Sequence, residues 1–398
     1  MNQRFNNFSV ILTGFGFLFL IYLSACSSLT SKRIQSEIDL IAEKWISDSR
    51  EAICTITADP GKNNSIVLRG ETSVPQIHEE IINTLYKPGL DLTDSIVNLP
   101  DTSIIRKING LVTLSVINLR KNPEHSAELI SQAILGTPVK ILKENNSWLL
   151  VQTPDRYIAW TEKSSITMFD VEEIESWRNS VRVIFLVNSG WVYGNELESE
   201  VVGDLVSGSI LVTNGKSGNY TKVAFPDGRE GVVRSANVKD LTLWLKEDTL
   251  SEDRIMGTAV TYLGLPYLWG GSSSKSVDCS GFVQSVYFRN GIILSRDASL
   301  QAGHGDIIDI NKGFGSLKRG DLLFFGSKKD KRSRVTHVAI YLGDSEFVHA
   351  SSRVMINSLD TTHSDYSSYR RNSLLSARRI IGVNNDDGIV RVSDHGWY

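Results

Sequence analysis

Residues 274–288, SKSVDCSGFVQSVYF, set a cysteine at the junction between a Ser- and Gly-rich approach and an apolar run of helical spacing. Asp278 can cap a helix that begins near Cys279, because its carboxylate accepts from first-turn N–H groups that have no partner inside the helix. Phe282, Val283, Val286 and Tyr287 then fall on one face. A thiol on the first turn lies at the positive end of the helix dipole, which favours its thiolate. The stretch reads as a mount for a nucleophile, and the next question is what serves as its base.

The histidines are His78, His125, His304, His337, His349, His363 and His395, and two of them lie in THVAIYLGDSEFVHAS, residues 336–351. His337 opens an alternating strand, Gly343, Asp344 and Ser345 make a turn, and EFVHA returns. A turn centred near residue 343 or 344 puts both imidazoles on one face of the hairpin. His337 is then the candidate base for Cys279, and His349 receives its second N–H and fixes its tautomer. Zinc binding by the same three residues is a competing use, but it lacks the closely spaced ligand pair of a zinc site.

Bulk properties narrow the classes. A chain of 398 residues, 41% hydrophobic and 22% charged, is globular, and roughly two to four domains are expected. A net charge of -3 gives no basic surface, which disfavours nucleic acid as a partner. Cys26, Cys54 and Cys279 cannot build a disulfide framework. Cys54, in EAICTITA, reads as a buried structural thiol with no basic neighbour in sequence. Cys26 belongs to the N-terminus, where Arg4 precedes the apolar run FSVILTGFGFLFLIYL and Leu23-Ser24-Ala25-Cys26 follows. That run is an export signal, somewhat short for a spanning helix, and LSAC resembles a bacterial lipobox in which Cys26 is lipidated and becomes the mature N-terminus. An uncleaved membrane anchor is the alternative, and either tethers an exported protein to a membrane.

Along the chain, residues 27–108 carry mainly helical patterns, IQSEIDLIAEKWISDS and VPQIHEEIINTLY. Residues 109–172 and 178–245 change to short alternating strands broken by Asn, Gly and Pro, as expected of two small β-barrels in tandem. WLKEDTLSEDR, 244–254, reads as a linker. Residues 252–385 mix helix and strand, so this last domain is α+β, and 386–398 form a C-terminal tail.

PYLWGGSSSKSVDCSGFVQSVYF, LKRGDLLFF and THVAIYLGDSEFVHAS resemble the NlpC-type cell-wall cysteine peptidases, and the two barrels are similar to bacterial SH3-like domains. The resemblance implies a papain-like catalytic domain preceded by two SH3-like barrels and the N-terminal helical region. It also implies a Cys279, His337, His349 triad working without metal or cofactor, through an acyl-enzyme whose oxyanion meets the Cys279 N–H. Tyr267 of the YxWGG motif either adds a hydroxyl beside the cysteine or is a packed aromatic.

Relatives that cut γ-D-glutamyl-L-diamino acid bonds carry an Asp in an RDA or RDS segment that pairs with the free α-ammonium of L-Ala. Asp297 in SRDASLQ matches it. By the same resemblance, Asp278 and Ser280 hold substrate, and the first SH3-like domain lends Glu128 and Tyr157. Ala298 replaces a hydroxyl that touches substrate in some relatives. The implied partners are peptidoglycan stem peptides and, through Cys26, the membrane of a bacterial cell envelope. Two alternatives stay open: a hydrolase of intact, cross-linked peptidoglycan, and a catalytically inactive wall-binding lipoprotein.

Overall fold

A computed structural model of the chain describes residues 31–62, 65–86, 90–247, 250–329, 332–384 and 386–398. The export signal and Cys26 lie outside the described residues. The chain divides into two units, Met1–Ile105 and Arg106–Tyr398.

The first unit is mixed rather than mainly helical. Beside the helical residues 31–45 and the helix Pro75–Leu85, strands Thr57–Pro60, Ile66–Thr72 and Leu92–Asn98 form a three-stranded sheet. The first pair is antiparallel and the second parallel, as a β-α-β crossover through Pro75–Leu85 requires. Ile34, Ile38 and Ile41 pack with Ile66, Leu68, Ile77 and Ile81 in its core. The helical periodicity is therefore real, but Leu92–Asn98 (LTDSIVN) is largely polar and leans on its neighbour rather than on a pattern of its own. Cys54 is half-buried there, and burial raises its thiol pKa.

The second unit opens with two seven-stranded antiparallel sheets. The first contains Asn109–Val112, Val116–Arg120, Leu129–Ile134, Pro138–Asn145, Trp148–Gln152, Ile158–Glu162 and Ile166–Phe169. The second contains Arg182–Phe185, Ser189–Tyr193, Val201–Val206, Ile210–Ser217, Tyr220–Ala224, Glu230–Arg234 and Val238–Asp240. Numbered by chain position within each sheet, the spatial order is the same in both: seventh, first, fourth, fifth, sixth, second, third. Each has a 3-10 turn before its last strand and an Asp-capped helix after it, with Asp170 and Asp240 accepting from backbone N–H groups. Topology thus exposes an internal repeat that the sequence signals only by turn spacing.

The segment read as a linker is mostly structured, because Trp244 is buried in the helix Leu241–Lys246 and Ser251 caps the helix Glu252–Val260. Beyond it, the helix Cys279–Phe288 lies on a six-stranded antiparallel sheet. Phe282, Val283, Val286 and Tyr287, all fully buried, meet Val338, Ile340 and Val348. The buried Tyr287 hydroxyl donates to the Gly320 carbonyl at 2.6 Å. Residues 386–398 are no loose tail: Ile389–Arg391 pairs antiparallel with Ile292–Leu294.

Candidate active site

Asp278 caps the helix Cys279–Phe288 by accepting from the Gly281 N–H at 2.7 Å. Gly281 is needed there, because a Cβ would lie 2.0 Å from the Gly271 carbonyl oxygen. This close approach locks the WGG turn, Trp269 to Gly271, against the start of the helix. Cys279 is buried at 8% exposure and occupies the first helical position, where its N–H has no partner inside the helix.

His337 and His349 sit on the adjacent strands Arg332–Gly343 and Glu346–Ala350, 7% and 2% exposed. Ile340 opposes Val348, so both histidines project from one face. Their rings meet edge-on, and His337 Nε2 lies 2.8 Å from His349 Nδ1. His349 Nε2 lies 2.9 Å from Asn357 Oδ1 on the next strand, Val354–Ser358.

The tautomers follow from this chain of bonds. Asn357 Nδ2 donates to the Asp365 carbonyl at 3.2 Å, so Oδ1 faces His349 and can only accept. His349 must donate from Nε2, which leaves its Nδ1 as a lone pair that accepts from the His337 Nε2–H. The lone pair of His337 is thus on Nδ1, the one ring nitrogen left to receive a thiol proton. Asn357 is a positioning residue that the motif reading missed. The signal was available: continuing the alternation past the turn after Ala350 sets Asn357 diagonal to His349, since His349 opposes Met355.

The charge states differ from the helix-dipole expectation. Burial, followed by the neighbouring charge of Asp278, pushes the Cys279 thiol up to about 11, against opposing contributions from the backbone N–H groups of Val338 and Ser280 and from Arg296. Burial, then the Arg370 charge and His349, hold His337 well below the usual histidine range. Burial brings His349 down to about 4 despite its bond to Asn357. Both shifts favour the neutral forms, thiol and imidazole, in the resting pair.

Asp278 is saturated by the protein. Its carboxylate accepts from Gly270 N–H, Gly281 N–H and Ser280 Oγ, and pairs with both terminal nitrogens of Arg296 at 3.1 and 2.7 Å. Ser280 Oγ also accepts from Arg296 at 3.0 Å. Both side chains, expected to hold substrate, are bonded at the start of the helix. Arg296, 1% exposed, also donates from Nε to Ser131 of the first sheet at 2.9 Å. The arginine of SRDASLQ had no role in the sequence reading, yet its buried charge ties the nucleophile helix to the neighbouring sheet.

Asp297 sits at the cap position of the short helix Ala298–Gln301 but makes no cap bond there. Its carboxylate instead accepts from the hydroxyl of the buried Tyr157, at 3.1 Å, from the loop before strand Ile158–Glu162. The same loop is anchored on both sides: Asp155 accepts from Gln284 of the nucleophile helix at 2.9 Å, and Arg156, at φ +67°, donates to Asp387 at 2.8 Å. Glu128 is exposed and accepts from Trp269 Nε1 at 3.0 Å, which places it on the rim beside the WGG turn. Tyr267 is half-buried against the core around Cys279, and burial, then the charges of Cys279 and Asp278, push its phenol up to about 12. Trp269, on the same turn, is 62% exposed.

Comparison with known proteins places the chain among relatives of known family. Residues 264–373 match the NlpC/P60 family, and residues 119–166 match the bacterial dipeptidyl-peptidase SH3 domain. The chain is 33% identical to dipeptidyl-peptidase 6 of Lysinibacillus sphaericus over 276 residues, 65% of this chain and 94% of that protein. It is 29% identical to the γ-D-glutamyl-L-lysine dipeptidyl-peptidase of Bacillus subtilis over 228 residues, 55% and 71% of the two chains. The crystal structure of an NlpC/P60 family protein from Bacillus cereus superposes with a TM-score of 0.59 at 23% identity, covering 69% of this chain and 99% of that one. At that identity the likeness speaks to the fold.

Proposed function

Because this chain belongs to the NlpC/P60 family and is a cysteine peptidase, we propose that it hydrolyses the γ-D-glutamyl-L-diamino acid bond of peptidoglycan stem peptides with a free N-terminal L-Ala. L-Ala-D-Glu is the product released. The observation that carries this reading is the Asp297 carboxylate, turned from its own helix toward the Tyr157 hydroxyl of the neighbouring sheet. A carboxylate at the junction of two domains, with an adjacent wall formed by the loop of Asp155 to Tyr157, suits an ammonium at the end of a short substrate. The Bacillus subtilis relative is named a γ-D-glutamyl-L-lysine dipeptidyl-peptidase and the Lysinibacillus sphaericus relative a dipeptidyl-peptidase, which supports this reading. We read the second seven-stranded sheet as a second SH3-like barrel, on the strength of its shared strand order.

In this mechanism the Cys279 sulfur attacks the γ-carbonyl carbon as its proton passes to His337 Nδ1. The oxyanion that forms takes the Cys279 N–H. When the intermediate collapses, the C–N bond breaks and the imidazolium returns the proton to the departing α-amine, leaving a thioester. Water then attacks the thioester carbon, gives a proton to His337, and expels the cysteine sulfur, which is reprotonated. His349 and Asn357 keep His337 Nδ1 free for each transfer.

The test is to incubate the chain, begun after Cys26, with an L-Ala-γ-D-Glu-L-diamino acid tripeptide and, separately, with cross-linked sacculi. Release of L-Ala-D-Glu from the tripeptide, lost in Cys279→Ala, is expected. Products from sacculi alone would replace this reading with hydrolysis of the intact wall, and no products from either would favour the inactive scaffold.

The proposal includes a tether, with Cys26 lipidated after export to the cell envelope, carried by the LSAC run. A fatty-acid label incorporated into the full chain and lost in Cys26→Ala is the expected result. Equal labelling of both would remove the lipobox reading.

A further inference from the structure

Arg370 lies on the short helix Ser368–Ser373, half-buried beside the histidines. Its guanidinium carbon is 5.6 Å from the centre of the Phe325 ring and 5.3 Å from that of Tyr369. Phe325 is the cross-strand partner of His337, with ring centres 5.8 Å apart. Three other arginines of this domain have partners: Arg371 donates to the Leu359 carbonyl, Arg379 pairs with Asp321, and Arg296 pairs with Asp278. Among the described residues, no carboxylate lies within ion-pair distance of Arg370, and none accepts a hydrogen bond from its guanidinium. A planar fork of donors held between aromatic faces, with its charge unmatched, is arranged for a planar anion.

We propose that Arg370 binds a carboxylate of the leaving diamino acid, an inference that rests on the proposed peptidase reading. Position relative to the histidines decides the assignment. Asp297 and Tyr157 take the acyl side, where the L-Ala ammonium ends. Arg370 stands on the histidine side, where His337 must hand its proton to the departing amine. The Arg370 charge is felt by His337, His349 and Tyr267, which agrees with that placement. The carbon that carries the leaving amine also carries the α-carboxylate when the diamino acid is terminal. Diaminopimelate carries a second carboxylate beside the ammonium at the end of its side chain, where lysine has the ammonium alone, a cation that Arg370 would repel.

The experiment measures kcat/KM of wild type, Arg370→Gln and Arg370→Lys on four tripeptides. These are L-Ala-γ-D-Glu joined to lysine, to lysine α-amide, to diaminopimelate, and to diaminopimelate amidated at its α-carboxylate. Wild type is expected to lose roughly 10- to 100-fold when the bound carboxylate is removed. Arg370→Gln should bring that ratio to within about threefold of unity, and Arg370→Lys should restore part of it. A ratio that collapses between each acid and its α-amide identifies the α-carboxylate; one that collapses only between diaminopimelate and lysine identifies the side chain. An equal loss on all four peptides in Arg370→Gln, or unchanged ratios, overturns the proposal and makes Arg370 a general electrostatic neighbour of the histidines. Cleavage of none of the four by wild type is a separate outcome, which removes the peptidase reading and this inference together.

Discussion

Acetylating the α-amine of an L-Ala-γ-D-Glu-L-diamino acid tripeptide should lower kcat/KM by roughly 30-fold to several thousand-fold, the cost of losing one partner of an enclosed, hydrogen-bonded charge pair. A carboxylate at a helix cap normally caps its own first turn; that of Asp297 makes no cap bond there and accepts from the Tyr157 hydroxyl. It thereby reaches the loop before the first sheet's strand Ile158–Glu162, and on the proposed reading the amine of a bound substrate joins it there. Asp297→Asn should impose a similar loss on the free-amine peptide and almost none on the acetylated one, because that substrate no longer offers the charge. Tyr157→Phe should lie between, since it removes a donor that orients the carboxylate and keeps the charge. Equal rates on free and acetylated peptides would sink the ammonium pocket. A loss in Asp297→Asn that is the same for both peptides would reassign the residue to holding the loop of Asp155 to Tyr157.

What the sequence disclosed of this site, and what it hid, divides along the range of the interactions. The helix of Cys279 and the hairpin of His337 and His349 are legible because each is local: a cap residue beside a 3.6 period in one case, strict alternation about a short turn in the other. Asp278 was legible as a cap, but its saturation was not, because Arg296 reaches it from 18 residues away and carries no motif of its own for that task. Asn357 and Arg370 are single polar residues on a strand and a short helix, and only the assembled sheet brings them to the histidines. In the N-terminal unit, Leu92–Asn98 joins its neighbour as a parallel strand through a crossover, a long-range pairing that periodicity does not encode. The segment Ile389–Arg391 was missed for a simpler reason, being too short to show any period.

The thiol itself shows how tertiary context reverses a local rule, and it yields the second large effect. A helix start favours a thiolate through the dipole and free N–H groups. Here burial and the Asp278 carboxylate outweigh those donors, so the Cys279 thiol stands at about 11 while His337 stays neutral. Below that value the thiolate fraction grows about tenfold for each pH unit, so alkylation of Cys279 by iodoacetamide should accelerate on the order of 1,000-fold between pH 6 and pH 9. A thiolate–imidazolium pair already formed in the resting enzyme would react at a nearly constant rate across that range, and such a flat profile would refute the neutral resting state. Asn357→Leu separates this resting chemistry from turnover. It leaves the burial of Cys279 and the charge of Asp278 in place, so the alkylation profile should keep its slope. It also releases His349 from its tautomer, so the His337 lone pair is no longer held on Nδ1, and kcat should fall roughly 10- to 100-fold with KM little changed. If both the profile and KM shifted with kcat, Asn357 would be a residue of the fold. If kcat alone fell, the chain from Asn357 through His349 would be what keeps the base aimed at a thiol that ionises only as substrate is attacked.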